Sequence, residues 1–476
     1  MIADIQIDAQ RLTRRLDKQR KRSLKLRTES LNERKNRIRD FGDFLMKNRS
    51  RISQAVALDF KKPETESDIS ELYPVITEIR HTLSNLDKWS APEKIDAPLT
   101  YLGTRSEVRF EPKGVCLIIS PWNFPVNLSL GPLISCLAAG NTAIIKPSEL
   151  TPNTSSLIAQ LVKEFFEEDL VTVVEGGQSA SELLLELPFD HIFFTGSPAV
   201  GKIVMRAAAE NLSSVTLELG GKSPVIIDSS ANIADSAKRI AFGKFLNNGQ
   251  TCIAPDYVLV EESVQEKFLE ALKKETTKMF GQDGVISEAS SNYARIVNRK
   301  HFDRLNKMLR DAIDKGAKLE FSGPVNGESN FIHPVILSNV APESLAMQEE
   351  IFGPILPIVP FKSIEQVTYL INGKPKPLAL YIFSNRQSFR EKILSETSAG
   401  SVGINECVLQ FSHPNLPFGG VNNSGIGKSH GKYGFLAFSN EKPILKQKRG
   451  FAMSYLLHPP YTNFRRKIVG LILKWF

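Results

Sequence analysis

The chain contains 476 residues, a length that predicts about three folding units at roughly 150 residues each. Charged residues make up 24% and hydrophobic residues 42% of it, which excludes a disordered chain and a membrane protein with many spans. The net charge is +8, yet residues 11–40 alone hold 13 lysines and arginines against 4 acidic residues. Because this excess charge lies in one stretch without interleaved aromatic residues, we expect no nucleic-acid partner.

The cysteines predict a reducing environment. Cys116, Cys136, Cys252 and Cys407 are too few in a chain of this length for a disulfide framework. None of them forms a CxxC pair or a Cys/His cluster with metal-ligand spacing, so we expect no metal site. The N-terminal residues carry acids and lack the continuous apolar run of a secretory signal. We therefore expect the protein to reside in the cytoplasm.

The N-terminal part is predicted to be helical. Ser30–Glu33 matches a capping box. Apolar residues then recur at helical spacing, which predicts a one-sided helix, at Leu31, Ile38, Phe41, Leu45 and Ile52. A second helix is expected over 73–89, and the extended run 99–110 predicts a strand or arm.

From residue 115 the pattern changes to short apolar runs separated by helix-sized segments. The first group of runs, typical of buried parallel strands, covers 115–120, 143–145, 171–174 and 192–194. A second group covers 225–227, 256–260 and 379–383, with a helix expected over 264–278. This alternation predicts two α/β lobes with a ligand cleft between them.

Two turns are candidates for binding a nucleotide. In the first, a strand ends at Gly196, and Ser197 and Pro198 have the residue types of a helix N-cap and first position, with Gly201 following. The free amides of such a turn suit an anion, although an ordinary strand-to-helix turn has the same appearance. The second turn holds Lys146 and Glu149, which either bind ribose hydroxyls or lie on a solvated turn. Because Glu149 would repel a 2′-phosphate, it favours NAD over NADP.

Three residues are candidates for catalysis. Cys252 stands among glycine and polar residues, unlike the other cysteines, so it is the candidate nucleophile; the alternative is a small core residue. Glu218 stands between leucines, where burial would raise its pKa toward that of a general base, unless it pairs with a lysine such as Lys222. Asn123 lies between two prolines as a rigid amide donor or as part of a structural turn.

Seven strings taken together resemble the motifs of aldehyde dehydrogenases, in the order of that family. They are PWNFP, KPSELTP, FTGSPAVG, LELGGKSP, NNGQTCIAPDYV, EEIFGP and PFGGVNNSGIGKSHG. The resemblance covers about residues 10–450, and GQTCIAPDYV is most similar to the class 3 and fatty-aldehyde branch. It implies an α/β fold with a Rossmann-like NAD-binding domain, an α/β catalytic domain and a small β oligomerisation arm, and usually a homodimer.

The resemblance also implies how the domains divide the chain. The NAD-binding domain, with the N-terminal helical layer, is expected over 1–90 and 112–217, and the catalytic domain over 218–415. The arm and bridging segments are expected over 91–111 and 416–450. A basic and hydrophobic C-terminal tail, residues 451–476, follows them.

The mechanism implied by the resemblance is NAD(P)-dependent oxidation of an aldehyde to its carboxylic acid through a cysteine thiohemiacetal and thioester. Cys252 attacks the carbonyl carbon, the Asn123 amide and the Cys252 N–H hold the oxyanion, and Glu218 activates the hydrolytic water. The implied cofactor-binding residues are Lys146, Glu149, Thr195, Gly196, Ser197, Gly201, Glu350 and Phe352. The implied substrate-pocket residues are Phe124, Thr251 and Phe418.

Two positions depart from the usual residues of the family. Pro198 stands where threonine is usual, and Phe124 stands where tyrosine is frequent in this branch. The phenylalanine makes the aldehyde pocket more apolar and favours medium- or long-chain or aromatic aldehydes.

Two other functions are alternatives to aldehyde oxidation. The enzymatic alternative is acyl transfer to coenzyme A or phosphate, against which Glu218 counts. A non-catalytic protein with this fold is the other.

The tail holds cationic residues around a short aliphatic run. Arg465, Arg466 and Lys467 precede six apolar or glycine residues, and Lys474 follows them. The run from Ile468 would rise only about 14 Å as a helix against a hydrocarbon core of about 30 Å, so we expect no span. Residues 461–476 are expected to lie on the inner face of a membrane, or to dock on a partner subunit or over the substrate mouth.

Overall fold

The computed structural model describes residues 9–450 and 452–475. Residues 1–8, which begin the predicted NAD-binding domain, and residues 451 and 476 of the predicted tail lie outside the described residues. The β-strands are β1 (Glu93–Ile95), β2 (Thr104–Pro112), β3 (Val115–Ile119), β4 (Thr142–Lys146), β5 (Val171–Val173), β6 (His191–Gly196), β7 (Ser214–Leu219), β8 (Pro224–Ile227), β9 (Tyr257–Glu261), β10 (Lys318–Phe321), β11 (Val325–Asn326), β12 (Phe331–Ile332), β13 (Val335–Ser338), β14 (Ile355–Phe361), β15 (Ala379–Phe383), β16 (Ser401–Ile404), β17 (Gly425–Ile426) and β18 (Ser439–Gln447).

The helices surround the two larger sheets. They are α1 (Ala9–Leu26), α2 (Leu31–Lys47), α3 (Arg49–Phe60), α4 (Glu64–Ser67), α5 (Tyr73–Ser90), α6 (Pro125–Ala139), α7 (Pro152–Phe165), α8 (Gln178–Leu185), α9 (Pro198–Glu210), α10 (Ile233–Phe245), α11 (Gln265–Phe280), α12 (Arg299–Asp314), α13 (Leu345–Gln348), α14 (Ile364–Asn372), α15 (Gln387–Glu396), α16 (Leu409–Ser412), α17 (Gly431–Ala437) and α18 (Asn463–Trp475).

The first sheet has the strand order β17-β7-β6-β3-β4-β5, and all its neighbours are parallel except the pair of β17 and β7. The chain moves outward from β3 to β5 and then returns to β6 on the other side of β3. The strand order therefore reverses between β3 and β6. In open α/β sheets the ligand crevice lies at the carboxyl ends of the strands at such a switch point.

The second sheet has the order β10-β13-β14-β9-β8-β15-β16 and is parallel apart from β10. Its central strands are buried on both faces, as the continuous apolar runs predicted. The structure thus confirms the α/β class and its two parallel sheets.

A three-stranded antiparallel sheet, β1-β2-β18, joins segments far apart in the sequence. The strand β2 begins at Thr104, so the prediction of an extended run from residue 99 is wrong for its first residues. Residues 99–101 form a 3₁₀ turn, and Gly103 follows with a φ of 94°, a backbone conformation that ends an extended run.

The N-terminal helical layer matches its prediction closely. The capping box is formed, because the Ser30 hydroxyl accepts a hydrogen bond from the Glu33 N–H at 3.2 Å and the Glu33 carboxylate accepts one from the Ser30 N–H at 2.9 Å. The stripe residues Ile38, Phe41 and Ile52 are buried, but the stripe spans two helices, α2 and α3, instead of one.

A buried ion pair fixes the beginning of α6. The Glu71 carboxylate accepts hydrogen bonds at 3.1 Å from the N–H groups of Val126 and Asn127, and its other oxygen lies 3.0 Å from the Lys62 ammonium. Both charged side chains are completely buried. An anion at a helix N-terminus stabilises the exposed amides there, so this pair holds the first turn of α6 and the segment that precedes it.

Candidate active site

The loop that carries Cys252 has an unusual backbone. Asn247, Asn248 and Gly249 are consecutive and have φ angles of 53°, 56° and 73°. Asparagine and glycine adopt this left-handed conformation at lower cost than other residues. A Cβ at Gly249 would lie only 2.3 Å from the carbonyl oxygen of Gly353, so no other residue fits there. These residues turn the chain sharply out of α10 and place Cys252 at the end of a tight loop.

Reciprocal hydrogen bonds join this loop to Asn123. The Asn123 side-chain amide donates to the carbonyl oxygen of Gln250 at 3.0 Å, and the Asn247 side-chain amide donates to the carbonyl oxygen of Asn123 at 2.8 Å. Asn123 follows β3 and is buried. A carboxamide has two N–H donors, so the second donor of Asn123 is available to a ligand.

Cys252 lies where two cavities meet. The larger, of about 310 Å³, is walled mostly by apolar side chains such as Phe124, Leu128, Phe242, Ile253 and Val408, and it includes Thr251. The smaller, of about 210 Å³, reaches from Cys252 to the carboxyl ends of β3 and β6, the switch point of the first sheet. One sulfur atom therefore faces an apolar compartment and the predicted nucleotide compartment together.

Glu218 ends β7 on the wall of the smaller cavity. It is buried, its carboxylate accepts a hydrogen bond from the Ser429 hydroxyl, and burial raises its pKa to about 7. The alternative pairing with Lys222 is wrong, because the Lys222 ammonium donates to the carboxylate of Asp256 instead. Glu218 thus has the raised pKa that a general base requires near neutral pH.

The Cys252 thiol is neutral at neutral pH in this environment. Burial raises its pKa to about 12, and the negative charges of Glu218 and Glu350 act in the same direction, while the N–H groups of Cys252 and Ile253 lower the pKa. A thiolate is the reactive form of cysteine. Its formation here requires a base or a positive charge next to the sulfur.

The turn after β6 has the features of an anion site. The Ser197 hydroxyl caps α9 by accepting a hydrogen bond from the Val200 N–H at 3.4 Å, and Pro198 occupies the first turn, as predicted. A Cβ at Gly201 would lie 2.7 Å from a methyl group of Leu219, so glycine lets α9 pack closely on β7. Close packing of this kind brings the amides at a helix N-terminus to a phosphate.

Three further residues predicted to bind the cofactor are Thr195, Lys146 and Glu149. The hydroxyl of Thr195 is buried beside this cavity without a hydrogen-bond partner among the described residues, so it can bind a ligand. Lys146 lies at the carboxyl end of β4 and donates to Glu149 at 2.8 Å. Lys146 is only 3% exposed, whereas the Glu149 side chain is 42% exposed, so both alternatives for this turn stay open.

Glu350 and Phe352 lie on the opposite wall of the smaller cavity. The Glu350 carboxylate accepts a hydrogen bond from the Gly221 N–H, and burial, with the nearby charge of Asp256, raises its pKa to about 8. Phe352 has a φ of 47°, a strained angle for this residue type, and its ring meets Trp122 edge to face at 5.2 Å. The turn is therefore held in one specific conformation at the cavity wall.

Two further residues, His301 and Arg304, line this cavity, and no sequence pattern indicated them. The His301 ring lies 4.9 Å from that of Trp122, and the Arg304 guanidinium donates to the carbonyl oxygen of Ile351 at 2.6 Å. Both lie in the first turns of α12, whose cap Asn298 is visible in the sequence. The cap predicts a helix, but nothing local indicates that its N-terminus reaches the cleft.

The structure places Phe418 apart from the other predicted substrate-pocket residues. Phe124 and Thr251 line the larger cavity, whereas Phe418 lines the smaller one beside Glu218. The carbonyl oxygen of Phe418 accepts a hydrogen bond from the Ser429 N–H at 2.7 Å. Phe418 therefore lies on the wall beside the predicted base, and its ring contacts that of Phe411, which lines both cavities.

Comparison with known proteins agrees with this geometry. The family model described as "Aldehyde dehydrogenase family" matches residues 3–444. The chain belongs to the aldehyde dehydrogenase family. It is 43% identical over 437 residues to the 4,4'-diaponeurosporen-aldehyde dehydrogenase of Staphylococcus aureus, covering 92% of this chain and 94% of that protein. It is 42% identical over 413 residues to aldehyde dehydrogenase family 3 member A2 of Mus musculus, covering 87% of this chain and 84% of that protein.

Solved aldehyde dehydrogenases share the fold. The substrate-bound state of AldH from Staphylococcus aureus superposes with a TM-score of 0.92 at 40% identity, covering 97% of this chain and 99% of that chain. An NAD+ complex of an aldehyde dehydrogenase from Bacillus cereus superposes with a TM-score of 0.84 at 28% identity, covering 93% and 89%. Aldehyde dehydrogenases use NAD or NADP, so the expected use of a nicotinamide dinucleotide is confirmed, while its binding residues stay a prediction.

Removing the Asn123 amide tests its part in turnover. We expect Asn123→Ala to lower kcat by about 10²- to 10³-fold, the usual effect of losing one oxyanion donor, and to leave the dissociation constant for NAD unchanged. Steady-state NADH production and fluorescence titration of the cofactor measure the two quantities. An unchanged kcat, or an equal loss in cofactor binding, would contradict an oxyanion role.

Proposed function

We propose that this aldehyde dehydrogenase oxidises an apolar medium- or long-chain aliphatic or aromatic aldehyde to its carboxylic acid, with Cys252 as the nucleophile. One observation carries the proposal: Cys252 lies between a cavity whose lining residues are uncharged and a cavity with a glycine turn and two carboxyl groups, those of Glu218 and Glu350. The aldehyde carbon would be held at the junction, with its chain in the larger cavity.

The residues around the junction have complementary roles in the proposal. The sulfur of Cys252 attacks the carbonyl carbon, and the free donor of the Asn123 amide binds the oxygen as negative charge develops. Bound NAD supplies the chemistry of hydride acceptance, and the residues that would hold it are Thr195, Gly196, Ser197, Gly201, Glu350 and Phe352, with Lys146 and Glu149 at the ribose.

Glu218 favours hydrolysis over acyl transfer. Its carboxyl group lies on the wall of the cavity that contains the sulfur, and a pKa of about 7 leaves part of it ionised at neutral pH. An ionised Glu218 takes a proton from water, and the resulting hydroxide cleaves the thioester and releases the acid. An enzyme that transfers the acyl group to coenzyme A has no need of this base.

The shape and walls of the larger cavity support an apolar substrate. Phe124 is buried in its wall, in the place where a tyrosine would offer a hydroxyl. Exposed apolar residues, Ile69, Tyr73 and Leu409, continue the lining outward. A long hydrocarbon chain would remain in contact with apolar surface as it leaves the cavity, since each buried CH₂ is worth about 0.8 kcal/mol. The Staphylococcus aureus relative is named a 4,4'-diaponeurosporen-aldehyde dehydrogenase.

An aldehyde panel tests this proposal. Hexanal, dodecanal and benzaldehyde are each supplied with NAD and with NADP, and absorbance at 340 nm reports the reduced cofactor. We expect the lowest KM for dodecanal and a preference for NAD, because Glu149 would face a 2′-phosphate. A lower KM for hexanal than for dodecanal would contradict the long-chain proposal, and absence of product with every aldehyde would contradict the oxidation itself.

The three-stranded sheet supports a homodimer. In the order β1-β2-β18 the outer edge of β18 has no strand neighbour among the described residues, and Leu445 on it is 58% exposed. A second copy of the chain would cover this edge and the apolar side chain.

The division of the chain into NAD-binding, catalytic and arm domains, with boundaries at residues 91, 112, 218 and 416, is also part of the proposal.

The tail forms the helix α18, which supports its proposed place on an anionic membrane surface. Phe464, Leu471 and Trp475 lie on one face at helical spacing and are 69%, 57% and 71% exposed. Arg465 and Arg466 flank this face. No described residue of the tail lines the larger cavity, which counts against the alternative that the tail covers the entrance of the substrate pocket.

Within residues 9–450 and 452–475, no helix has both the length and the apolar content to cross a bilayer.

Deleting residues 461–476 tests the membrane proposal. We expect the full chain to sediment with vesicles containing phosphatidylglycerol and the truncated chain to remain in the supernatant, with equal oxidation of hexanal by both. Vesicles of phosphatidylcholine alone are the control for charge. If truncation leaves vesicle binding unchanged, the tail is not the membrane contact.

A further inference from the structure

A second buried acid, Glu78, lies close to the catalytic base and has no part in the mechanism above. Glu78 is on α5 and is 7% exposed. Its carboxylate accepts hydrogen bonds from the Gly431 N–H at 2.9 Å and from the Ser135 hydroxyl at 3.4 Å. No lysine or arginine in the described part of the chain forms an ion pair with it. A buried carboxyl group without a cation is costly to ionise, so its retention calls for an explanation.

Glu78 and Glu218 line a third cavity, called the small cavity below, in addition to the two cavities that meet at Cys252. Its volume is about 30 Å³, room for about two water molecules. Polar groups on its wall, from Asn127, Ser135 and Ser429, offer the partners that buried water requires. Glu218 also lines the compartment that contains Cys252, so it stands between the two spaces. Water in the small cavity would therefore connect the two carboxyl groups.

One short segment binds both acids. The Ser429 hydroxyl donates to Glu218, and the Gly431 N–H donates to Glu78. A Cβ at Gly431 would lie 3.2 Å from the ring of His81, which lines a separate, more polar cleft of about 420 Å³. Gly431, which donates to Glu78, thus lies next to a residue of this outer cleft.

The two carboxyl groups have similar affinity for a proton. Burial raises the pKa of Glu78 to about 7, the value that burial also gives Glu218. The histidines nearby do not hold the proton at neutral pH, because burial lowers the pKa of His430 on the cavity wall to about 4 and also lowers the pKa of His81. Lys428 faces Glu218, but its ammonium donates to backbone carbonyls. A proton can therefore pass between the two acids without a large free-energy difference.

We propose that Glu78 is a proton acceptor for Glu218 and returns the base to its ionised form after each hydrolysis. The inference rests on the proposed function of Glu218. After Glu218 takes a proton from the hydrolytic water, that proton moves through water in the small cavity to the carboxylate of Glu78, and Glu218 becomes a carboxylate again. Glu78 then loses the proton toward the cleft lined by His81. One proton moves, and no electrons are transferred.

Glu78→Gln tests the relay, because glutamine keeps an oxygen that accepts the Gly431 hydrogen bond but cannot accept a proton at neutral pH. The measurements are the rate of the first turnover of NADH and the lifetime of acyl-Cys252, followed by rapid acid quenching and mass spectrometry. We expect an unchanged first turnover and, from the second turnover onward, when Glu218 must first have lost its proton, an acyl-enzyme that persists about 10-fold longer, less than the about 10²- to 10⁴-fold effect of losing the base itself. Glu78→Asp, which keeps a carboxylate, should behave closer to the wild type.

Gly131→Ala is a second variant that changes no charge. A methyl group there meets only the side-chain oxygen of Asn127, at 3.5 Å, so the variant should fold, and it fills space on the wall of the small cavity. We expect it to lengthen the acyl-enzyme lifetime without altering the first turnover. If both variants hydrolyse the acyl-enzyme at the wild-type rate, the relay is wrong. Equal slowing of both steps would show a structural role and overturn it too. Failure of the wild type to form acyl-Cys252 would instead contradict the proposed function.

Discussion

The hydrogen bonds between Asn123 and the loop of Cys252 are the interaction on which the site depends. Asn123 follows the first strand of one sheet, while Cys252 precedes the strand β9 of the other. The bond from Asn123 to Gln250 and the returning bond from Asn247 to Asn123 join the two sheets at the reacting position. Without these bonds the donor and the nucleophile loop would lose their direct link.

Buried acids from the N-terminal helices hold both sides of this junction. Glu71 binds the first amides of α6, next to Asn123, and Glu66 accepts a hydrogen bond from the Asn247 N–H at 2.8 Å. Lys62 pairs with Glu71, and its ammonium lies 4.6 Å from the centre of the Phe124 ring. The helical layer is therefore a part of the active site, since it orients the oxyanion donor, the nucleophile loop and one wall of the apolar cavity.

Burial of ionisable groups also affects the reacting residues, because it raises the pKa values of Cys252, Glu218 and Glu350. A cationic ligand in the adjoining compartment would favour ionisation of all three by Coulomb attraction.

The sequence predicts what depends on local pattern and misses what depends on distant partners. The apolar runs predict the parallel strands, Ser30 and Glu33 predict a cap, and Cys252, Asn123 and Glu218 stand out by their immediate neighbours. In contrast, Glu71 and Glu78 look like ordinary solvent-facing charges on amphipathic helices. Their partners are amides at Val126 and Gly431, which no helical periodicity reveals. The side of the site that Phe418 faces is likewise not given by the sequence, because a loop residue can face either of two adjoining cavities and only the fold decides which.

The central claim, that Cys252 binds the substrate carbon covalently and Glu218 releases it, is tested most directly by mass spectrometry of Glu218→Gln. The variant is mixed with dodecanal and saturating NAD, quenched in acid and digested, with Cys252→Ala in the same background as the control. The account predicts one acyl group per chain on the peptide that contains Cys252 and none in the control. An unmodified Cys252, or an acyl group on Cys116, Cys136 or Cys407, would contradict it.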